Sequence, residues 1–297
     1  MSIKKLKELN LSETKLRNLS PFKSFCFDSI IILNLRENQI KDLTPLEGIN
    51  MLKLEYLNLN SNYIKSIKSL GNINYPNIKT LNLGYNKIIN INALSKDIFS
   101  NLRNLFLNNN RIEKIDILSK VKFKDLVALY LQGNKISDIN PLISSPFKDL
   151  HRLNLSSNEI KEGLSSDLVF PKLIKLDLSS NNIEDISLIL GKMKITSLKY
   201  LSLGSNKISD ISEIVNYEIK ELINLDLYDN KIVDVNCLMK AKFINLKILN
   251  LEKNEIEDLN PFSNLPMKNL KILKFDREKK EEKSWEDDED IGIGDLF

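Results

Sequence analysis

Leucine, isoleucine and asparagine recur along this chain with a period of about 24 residues. The periodic asparagines are Asn38, Asn62, Asn86, Asn110, Asn134, Asn158, Asn181, Asn206, Asn230 and Asn254. Each lies in the frame L-x-x-L-x-L-x-x-N-x-I, with isoleucine in first place before Asn38 and Asn86, and the frame is complete in Leu126, Leu129, Leu131, Asn134 and Ile136. A fixed period in this range, kept over successive copies, predicts a solenoid in which each coil of the chain stacks on the one before it.

The paired leucines of each frame predict a short strand. Side chains alternate across a strand, so Leu153 and Leu155 point into the core while their neighbours face solvent. Each strand pairs in parallel with the next, about 4.8 Å away. The asparagine follows where the chain leaves the strand, and its amide can bond backbone groups that a buried bend would leave unpaired. We therefore expect a ladder of asparagines along the solenoid.

A second apolar column lies three residues before each frame and keeps the same register. It consists of Ile3, Phe27, Met51, Tyr75, Phe99, Phe123, Phe147, Phe170, Ile195, Ile219, Phe243 and Met267. We interpret it as core. In the repeat that contains Asn158, Gly163 and Ser166 predict a locally rebuilt loop. The frames predict twelve coils in one domain over residues 1–276, with Thr14 and Glu278 replacing the asparagine in the first and last coil.

This pattern resembles the leucine-rich repeat family across residues 3–276. Turns with proline, such as Ser20-Pro21-Phe22, resemble the short-repeat subclass shared by internalins and phosphatase-regulatory subunits, whose usual period is about 22 residues rather than the longer one seen here. The resemblance implies an α/β fold, a right-handed leucine-rich repeat solenoid of twelve repeats with a parallel sheet on its concave side. It also implies protein binding along the concave face without intrinsic catalysis.

Charge is divided between the repeats and the end of the chain. Of the formal charge of +3, residues 276–297 contribute ten acidic and four basic side chains, a net of −6, which leaves +9 for the rest. That excess is nearly all lysine spread over the coils, which is typical of a solvated surface. A nucleic-acid groove concentrates arginine and aromatics along one face. Nucleic-acid binding by the lysine-rich body is therefore the third and least favoured function.

Two cysteines indicate a reducing compartment. Cys26 and Cys237 lie some nine repeats apart and cannot meet in a linear stack, which argues against a disulfide framework. We interpret both as buried, inert thiols. The chain enters the first repeat without the apolar stretch of a signal peptide, and no run approaches the length of a membrane span. We expect a cytoplasmic protein with no membrane partner.

Residues that carry chemistry are sparse. His151 is the single histidine, so neither a metal site nor a pair with a nucleophile has support in the sequence. Motifs for phosphate binding or nucleophilic catalysis do not occur. We expect no enzyme activity, no cofactor and no metal. The aspartates that keep the repeat register are predicted to be turn residues: Asp138, Asp185, Asp210, Asp234 and Asp258.

The residues between the paired leucines predict the surface that a partner meets. Half of them are asparagines, but Phe106 and Tyr130 interrupt the row on adjacent strands, and we expect both rings to be exposed. Exposed aromatics beside arginine are typical of binding hot spots. The first predicted contact patch consists of Tyr56, Tyr85, Phe106, Tyr130 and Arg152. A second, more acidic patch consists of Asp177, Tyr200, Asp226, Tyr228 and Asp229.

Residues 277–297 are predicted to form an acidic, flexible tail. Its end joins acids to glycine-spaced apolar residues and closes in Leu-Phe, so it resembles the C-terminal peptide of the acidic ribosomal stalk proteins. That resemblance implies recruitment of a translation factor or the ribosome. Alternatively, the tail only solubilises the protein, or its apolar residues cover the last repeat. The residues singled out are Trp285, Asp288, Asp290, Ile291, Ile293, Leu296 and Phe297.

The sequence thus predicts a non-catalytic protein-binding scaffold or regulatory subunit that engages a partner protein on its concave face. The alternative is a translation- or ribosome-associated factor that acts through the tail. Deletion of residues 277–297 separates these hypotheses, because it spares a partner of the concave face and removes one that depends on the tail. A nucleic-acid binder would instead show an affinity that falls steeply with salt.

Overall fold

The computed structural model describes residues 5–161, 163–217 and 219–276, and each described coil contributes one short strand to a sheet. The strands in chain order are β1 (Glu8–Asn10), β2 (Ile32–Asn34), β3 (Tyr56–Asn58), β4 (Thr80–Asn82), β5 (Asn104–Phe106), β6 (Ala128–Tyr130), β7 (Arg152–Asn154), β8 (Leu168–Val169), β9 (Lys175–Asp177), β10 (Met193–Lys194), β11 (Tyr200–Ser202), β12 (Asn224–Asp226), β13 (Ile248–Asn250) and β14 (Ile272–Lys274).

All of these strands except β8 and β10 form one open, parallel, twelve-stranded sheet in chain order. Neighbouring strands pair with their central leucines opposite each other, as Leu105 does with Leu129 and Leu129 with Leu153. Because the repeat length is nearly constant, the same side chain recurs at the same height in each coil. The predicted twelve-coil solenoid with a parallel sheet is confirmed.

On the return path of the coils, 3-10 helices take the place of longer helices. They span Ser20–Ser24, Thr44–Leu46, Lys68–Asn72, Asn92–Ser95, Asp97–Phe99, Asp116–Ser119, Asn140–Leu142, Ser212–Asn216, Asn236–Lys240 and Asn260–Asn264. One α-helix, α1 (Ser187–Leu190), lies in the coil between β9 and β11.

The periodic aspartates fix the start of these helical turns. Asp210 Oδ1 accepts a hydrogen bond of 2.7 Å from the backbone N–H of Ser212, and Asp138 accepts an equivalent bond of 2.8 Å from Asn140. The bond from Ser212 holds the pKa of Asp210 below its usual value. Aspartate favours this role because its short side chain reaches its own backbone two residues on. The prediction that these residues serve turns is confirmed.

Aliphatic and aromatic side chains fill the inside of the coils. The described members of the second column, from Phe27 to Met267, are all buried. Phe123 and Phe147 stack with their ring centroids 5.7 Å apart, so adjacent coils share aromatic contacts. The interpretation of this column as core is confirmed for its described members, whereas Ile3 lies outside the described residues.

The buried asparagines join each coil to the one before it. Asn110 Oδ1 accepts the backbone N–H of Ile88 at 3.0 Å, while Asn110 Nδ2 donates to the carbonyl oxygens of Leu83 and Leu107, each at 3.0 Å. The same arrangement recurs from Asn38 to Asn254. The predicted ladder is confirmed. Its asparagine side chains bond to backbone groups of their own and the preceding coil rather than to one another.

The residue before each of these asparagines has a left-handed backbone. Its φ is 52° at Glu37, 52° at Ser157 and 55° at Lys253, and glycine takes the position once, at Gly133, with φ 67°. A left-handed conformation costs a residue with a Cβ about 1–2 kcal/mol. The asparagine ladder therefore holds a strained bend in coil after coil.

The coil after β7 is rebuilt, as Gly163 and Ser166 predict. Strand β8 leaves the main sheet and pairs in parallel with β10 of the next coil, with Leu168 opposite Met193. The N–H of Leu168 donates to the carbonyl of Lys192 at 2.8 Å. The two-stranded sheet itself was not predicted, because strands this short have no periodicity of their own.

The two cysteines differ in exposure. Cys237 is half-buried, and its burial, aided by Asp234 and Asp210, raises the pKa of the thiol to about 11. Cys26 is exposed, so the prediction of a buried thiol is wrong there. The reason is its place next to Phe27, since Phe27 points into the core and its neighbour points away from it.

At the first coil, Thr14 replaces the asparagine and keeps part of its function. Thr14 Oγ1 donates to the carbonyl of Leu11 at 2.9 Å and lies 3.1 Å from Asn38 Oδ1. At the last described coil, Leu273 and Phe275 are only half-buried, because no further described coil packs on them. Glu278 lies outside the described residues.

Candidate protein-binding face

The solvent side of the main sheet, here called the strand face, is formed by the residues that flank each central leucine. Its asparagines bend back onto their own backbone. Asn58 Oδ1 accepts the N–H of Asn60 at 3.0 Å, and Asn154 Oδ1 accepts the N–H of Ser156 at 2.9 Å. Asn58 is buried although it lies on this face. These polar side chains therefore fix how their strands end.

Phe106 and Tyr130 form a stacked aromatic pair in the middle of this row. They lie opposite each other on β5 and β6, with ring centroids 4.8 Å apart and planes 4° from parallel. Both side chains are half-buried rather than exposed, so that part of the prediction is wrong. Each ring covers one face of the other, because strand spacing in a parallel sheet nearly equals the stacking distance.

The other residues of the first predicted patch surround this pair at different depths. Tyr56 is half-buried on β3, and Tyr85 follows β4 with 56% of its surface exposed. Arg152 is exposed on β7, opposite the buried Ala128 of β6. The structure thus places the patch on the five successive strands β3–β7. Whether these residues bind a partner stays a prediction.

The second predicted patch is held by hydrogen bonds between neighbouring strands. Asp226 Oδ2 accepts from Ser202 Oγ at 3.2 Å, and Asp229 Oδ2 accepts from Ser205 Oγ at 2.9 Å.

Asp177, in the same patch, accepts both the N–H and the hydroxyl of Ser179. Tyr200 is 42% exposed, and Tyr228 lies with its ring centroid 5.0 Å below Lys253 Nζ. These carboxylates therefore order the strand face whether or not they also meet a partner.

One feature of the face was missed from the sequence. Gly84 separates the amides of Asn60 and Asn108, and a Cβ at this position would lie 2.6 Å from Asn108 Oδ1 and 2.8 Å from Asn60 Nδ2. Asn108 is buried beside it. The only signal in the sequence is that Gly84 and Asn108 share a register position in adjacent repeats.

A groove of about 520 Å³ runs along the border where β4–β7 begin, and Lys79, Arg103, Asp149 and His151 lie on it. Nδ1 of His151 lies 2.6 Å from the carbonyl oxygen of Asp149. A hydrogen bond and charge from Lys172 hold the pKa of the Asp149 carboxyl below its usual range. On this open surface Lys79 pairs with Glu55 and Lys172 with Asp149, whereas Arg103 forms no ion pair with a described residue.

Within residues 5–161, 163–217 and 219–276, no group of three or more histidine, cysteine, aspartate or glutamate side chains is placed to hold a metal ion. Nor does this part of the chain contain a helix with the length and apolar character needed to cross a membrane. The predicted tail motif lies outside the described residues. Its members are Trp285, Asp288, Asp290, Ile291, Ile293, Leu296 and Phe297.

Comparison with known proteins agrees with the repeat architecture. A family model described as leucine-rich repeats in two copies matches residues 100–144 and 171–216. The internalin InlF from Listeria monocytogenes superimposes with a TM-score of 0.62 over 93% of this chain and 88% of its own, at 23% identity. The chain contains leucine-rich repeats and adopts the leucine-rich repeat fold.

Other solved structures share the fold. The functional domain of InlJ from Listeria monocytogenes is 19% identical, with a TM-score of 0.58 over 91% of this chain and 63% of that one. The plant peptide hormone receptor RGFR1, solved in complex with RGF2, is 17% identical, with a TM-score of 0.56 over 89% and 50%. At these identities the likeness concerns the fold alone. A comparison with curated proteins finds no match.

Proposed function

We propose that this leucine-rich repeat protein is a non-catalytic scaffold or regulatory subunit that binds another protein through its strand face. The observation that carries the proposal is the stacked pair Phe106 and Tyr130. Equivalent positions on the three preceding strands hold Asn34, Asn58 and Asn82. The rings therefore form an apolar step in a row of amides.

This aromatic step has the properties of a binding anchor. Large rings give much apolar contact area, and they lose little rotamer freedom on binding. Stacking already holds each ring in place, so less ordering remains for the moment of association. The asparagine ladder beneath it ties the strands together through Asn110 and Asn134. A rigid, pre-organised surface results.

Neighbouring side chains complete the proposed contact. Tyr85 extends the apolar area toward the exit of the strands, and Arg152 provides a charged group on the entry side that fixes the orientation of the partner. The uncharged Thr80 and Ala128 begin the intervening strands β4 and β6, so no charge stands between the aromatic pair and Arg152 on that side of β6.

The comparisons support a polypeptide partner in general terms. The fold is shared with a plant receptor whose structure contains a peptide hormone, although this chain spans only half of that receptor. A repeated, open sheet offers one continuous surface of this kind. The same fold supports the absence of intrinsic catalysis, since it is typical of binding scaffolds.

Affinity purification from the cells that make the protein tests this proposal. The unsubstituted chain, a Phe106→Ala/Tyr130→Ala variant and a Leu52→Ala/Ile244→Ala control are compared. Leu52 and Ile244 are 50% and 59% exposed and lie off the strand face, so the control also removes exposed apolar area. We expect a protein that the control retains and the aromatic variant loses.

A partner retained equally by all three chains would refute binding at the aromatic step. Thermal melting of each variant shows whether a lost partner reflects lost folding instead. A chain that lacks residues 277–297 is run in parallel, because a partner lost only with that deletion would support the tail-dependent alternative.

A cytoplasmic location belongs to the same proposal. The exposed thiol of Cys26 and the partly buried thiol of Cys237 are both free. Unpaired thiols are usual in reducing compartments. Subcellular fractionation checks this, and recovery of the protein outside the cytoplasm would contradict it.

A further inference from the structure

Charge is distributed unevenly across the strand face. Positive side chains occur where the chain enters six strands of the main sheet, on or just before β5, β7, β9, β11, β13 and β14. We call this set the basic border, and it consists of Arg103, Arg152, Lys175, Lys199, Lys247 and Lys271.

The other border of the face, where the chain leaves the strands, carries the opposite sign in the later coils. Acidic side chains there are Asp226, Asp229, Glu252 and Asp276. Lys253 and Lys274 lie among them, and Lys274 Nζ is 3.8 Å from Glu252. Charge on the strand face therefore changes sign along the strand direction. Cations lie at the strand starts, and mostly anions lie past the strand ends.

One member of the basic border has a carboxylate nearby, since the charge of Arg103 helps to lower the pKa of Asp149. No member of the border forms an ion pair with another described residue, whereas nearby Lys79 pairs with Glu55 at 2.9 Å. All members except the half-buried Lys199 are exposed. These accessible cations form no ion pairs with described residues and lie on the same face as the aromatic pair. They are therefore available to a negatively charged partner.

We infer that the partner proposed above presents an acidic polypeptide segment, which lies along the basic border while an adjoining apolar side chain contacts Phe106 and Tyr130. The inference rests on the proposed function. Opposite charge on the two borders sets the direction of docking, since a reversed partner would bring its acids against Asp226 and Asp229. Arg103 and Arg152 flank the strands of the aromatic pair, so both contacts fit one segment.

A nucleic acid fits this face less well. Asp125 and Asp149 lie on the groove beside Arg103, and a continuous phosphate backbone would meet their charges as well as the cations. Lysine also outnumbers arginine in the border, and the aromatic pair is stacked on itself instead of standing apart to receive bases. An acidic polypeptide, by contrast, can have uncharged residues where it passes Asp125 and Asp149.

Selection from a phage-displayed library of random dodecapeptides on the immobilised full chain tests the inference. Parallel selections use three variants, Phe106→Ala/Tyr130→Ala, Arg103→Glu/Lys175→Glu and the control Lys96→Glu/Lys240→Glu. The control makes the same change in net charge at exposed lysines away from the strand face. Thermal melting verifies that each variant is folded.

We expect peptides that combine aspartate or glutamate with an apolar residue. The aromatic variant and the border variant should lose them, and the charge control should keep them. In fluorescence anisotropy, a selected peptide should bind roughly tenfold more tightly than its asparagine and glutamine counterpart, with the difference shrinking as salt is added.

Other outcomes separate the two proposals. Peptides that need Phe106 and Tyr130 but are neutral or basic overturn the acidic partner and leave the proposed function standing. Peptides that bind equally well without the rings of Phe106 and Tyr130 contradict both the acidic partner and the proposed function. Peptides recovered only after removal of residues 277–297 identify the chain's own acidic end as the occupant and overturn the inference. Tighter binding of a labelled single-stranded DNA oligonucleotide through the same border also overturns it.

Discussion

At the scale of single residues, the repeated asparagine holds the solenoid together through backbone groups of two coils. Asn110 satisfies Ile88 N–H, Leu83 O and Leu107 O at once. The sequence predicts this function because an amide combines a donor and an acceptor at a bend. It does not reveal the left-handed residue that precedes it, since side chains as different as Glu37, Tyr85 and Ser157 occupy that place.

Replacing Asn110 by alanine should lower the free energy of unfolding by about 1–3 kcal/mol, because buried backbone groups lose their partners. Urea denaturation measures the change. Asn72→Ala is the matched control, since the exposed Asn72 amide bonds only to the side chain of Glu47 and should change stability by less than about 0.5 kcal/mol. Equal effects at both sites would contradict the ladder.

The left-handed position makes opposite predictions for two substitutions. Ser157→Gly should stabilise the protein by about 0.5 kcal/mol, because the relief of about 1–2 kcal/mol of strain exceeds the gain in freedom of the unfolded chain, about 0.4–1 kcal/mol. Gly133→Ala should destabilise it by about 1–2 kcal/mol, since its φ is 67° and a Cβ would lie 2.5 Å from Asn109 Oδ1. Thermal melting that shows the same sign for both would refute the strain.

At the scale of elements, short 3-10 helices replace full helices on the return path of the coils. In several coils, an aspartate side chain accepts a backbone hydrogen bond at the start of the helical turn and holds that turn in place. The register of these aspartates in the sequence was sufficient to predict turns. The coil after β7 shows what the sequence does not predict. Gly163 and Ser166 indicate that this coil departs from the repeat, but they do not indicate the structure that replaces it. The pairing of β8 with β10 depends on two coils lying side by side, which is a tertiary effect.

Asp210→Ala should lower the free energy of unfolding by about 0.5–1 kcal/mol at neutral pH, because the N–H of Ser212 loses its acceptor. The pKa of Asp210 is depressed in the folded state, so its contribution to stability is fully present above the usual aspartate pKa of about 3.9 and is lost as pH falls through the lower folded pKa.

The difference in free energy of unfolding between the unsubstituted protein and Asp210→Ala should therefore disappear below the folded pKa of Asp210. Urea denaturation at a series of pH values measures this difference. Asp210→Asn keeps an acceptor oxygen and should show a smaller difference at neutral pH. A gap for Asp210→Ala that is constant with pH would contradict the assignment.

At the scale of the whole molecule, the fold is predictable from the period alone, because each repeated side chain must meet its counterpart one coil away. The strand face is predictable by position but not in detail. Phe106 and Tyr130 were located correctly, yet their mutual stacking, the buried Asn58 and the packing around Gly84 follow from neighbouring strands. The change in the sign of charge along the strand direction likewise becomes visible only when the coils are aligned in register.

Photo-cross-linking tests the central claim, that the strand face binds a protein partner, most directly. A benzoylphenylalanine side chain is introduced in place of Tyr130 on the strand face or of Ile244 away from it, and cells are irradiated. The account predicts a covalent adduct with another protein from position 130 that is absent from position 244. An adduct from position 244 alone, or equal adducts from both, would contradict it.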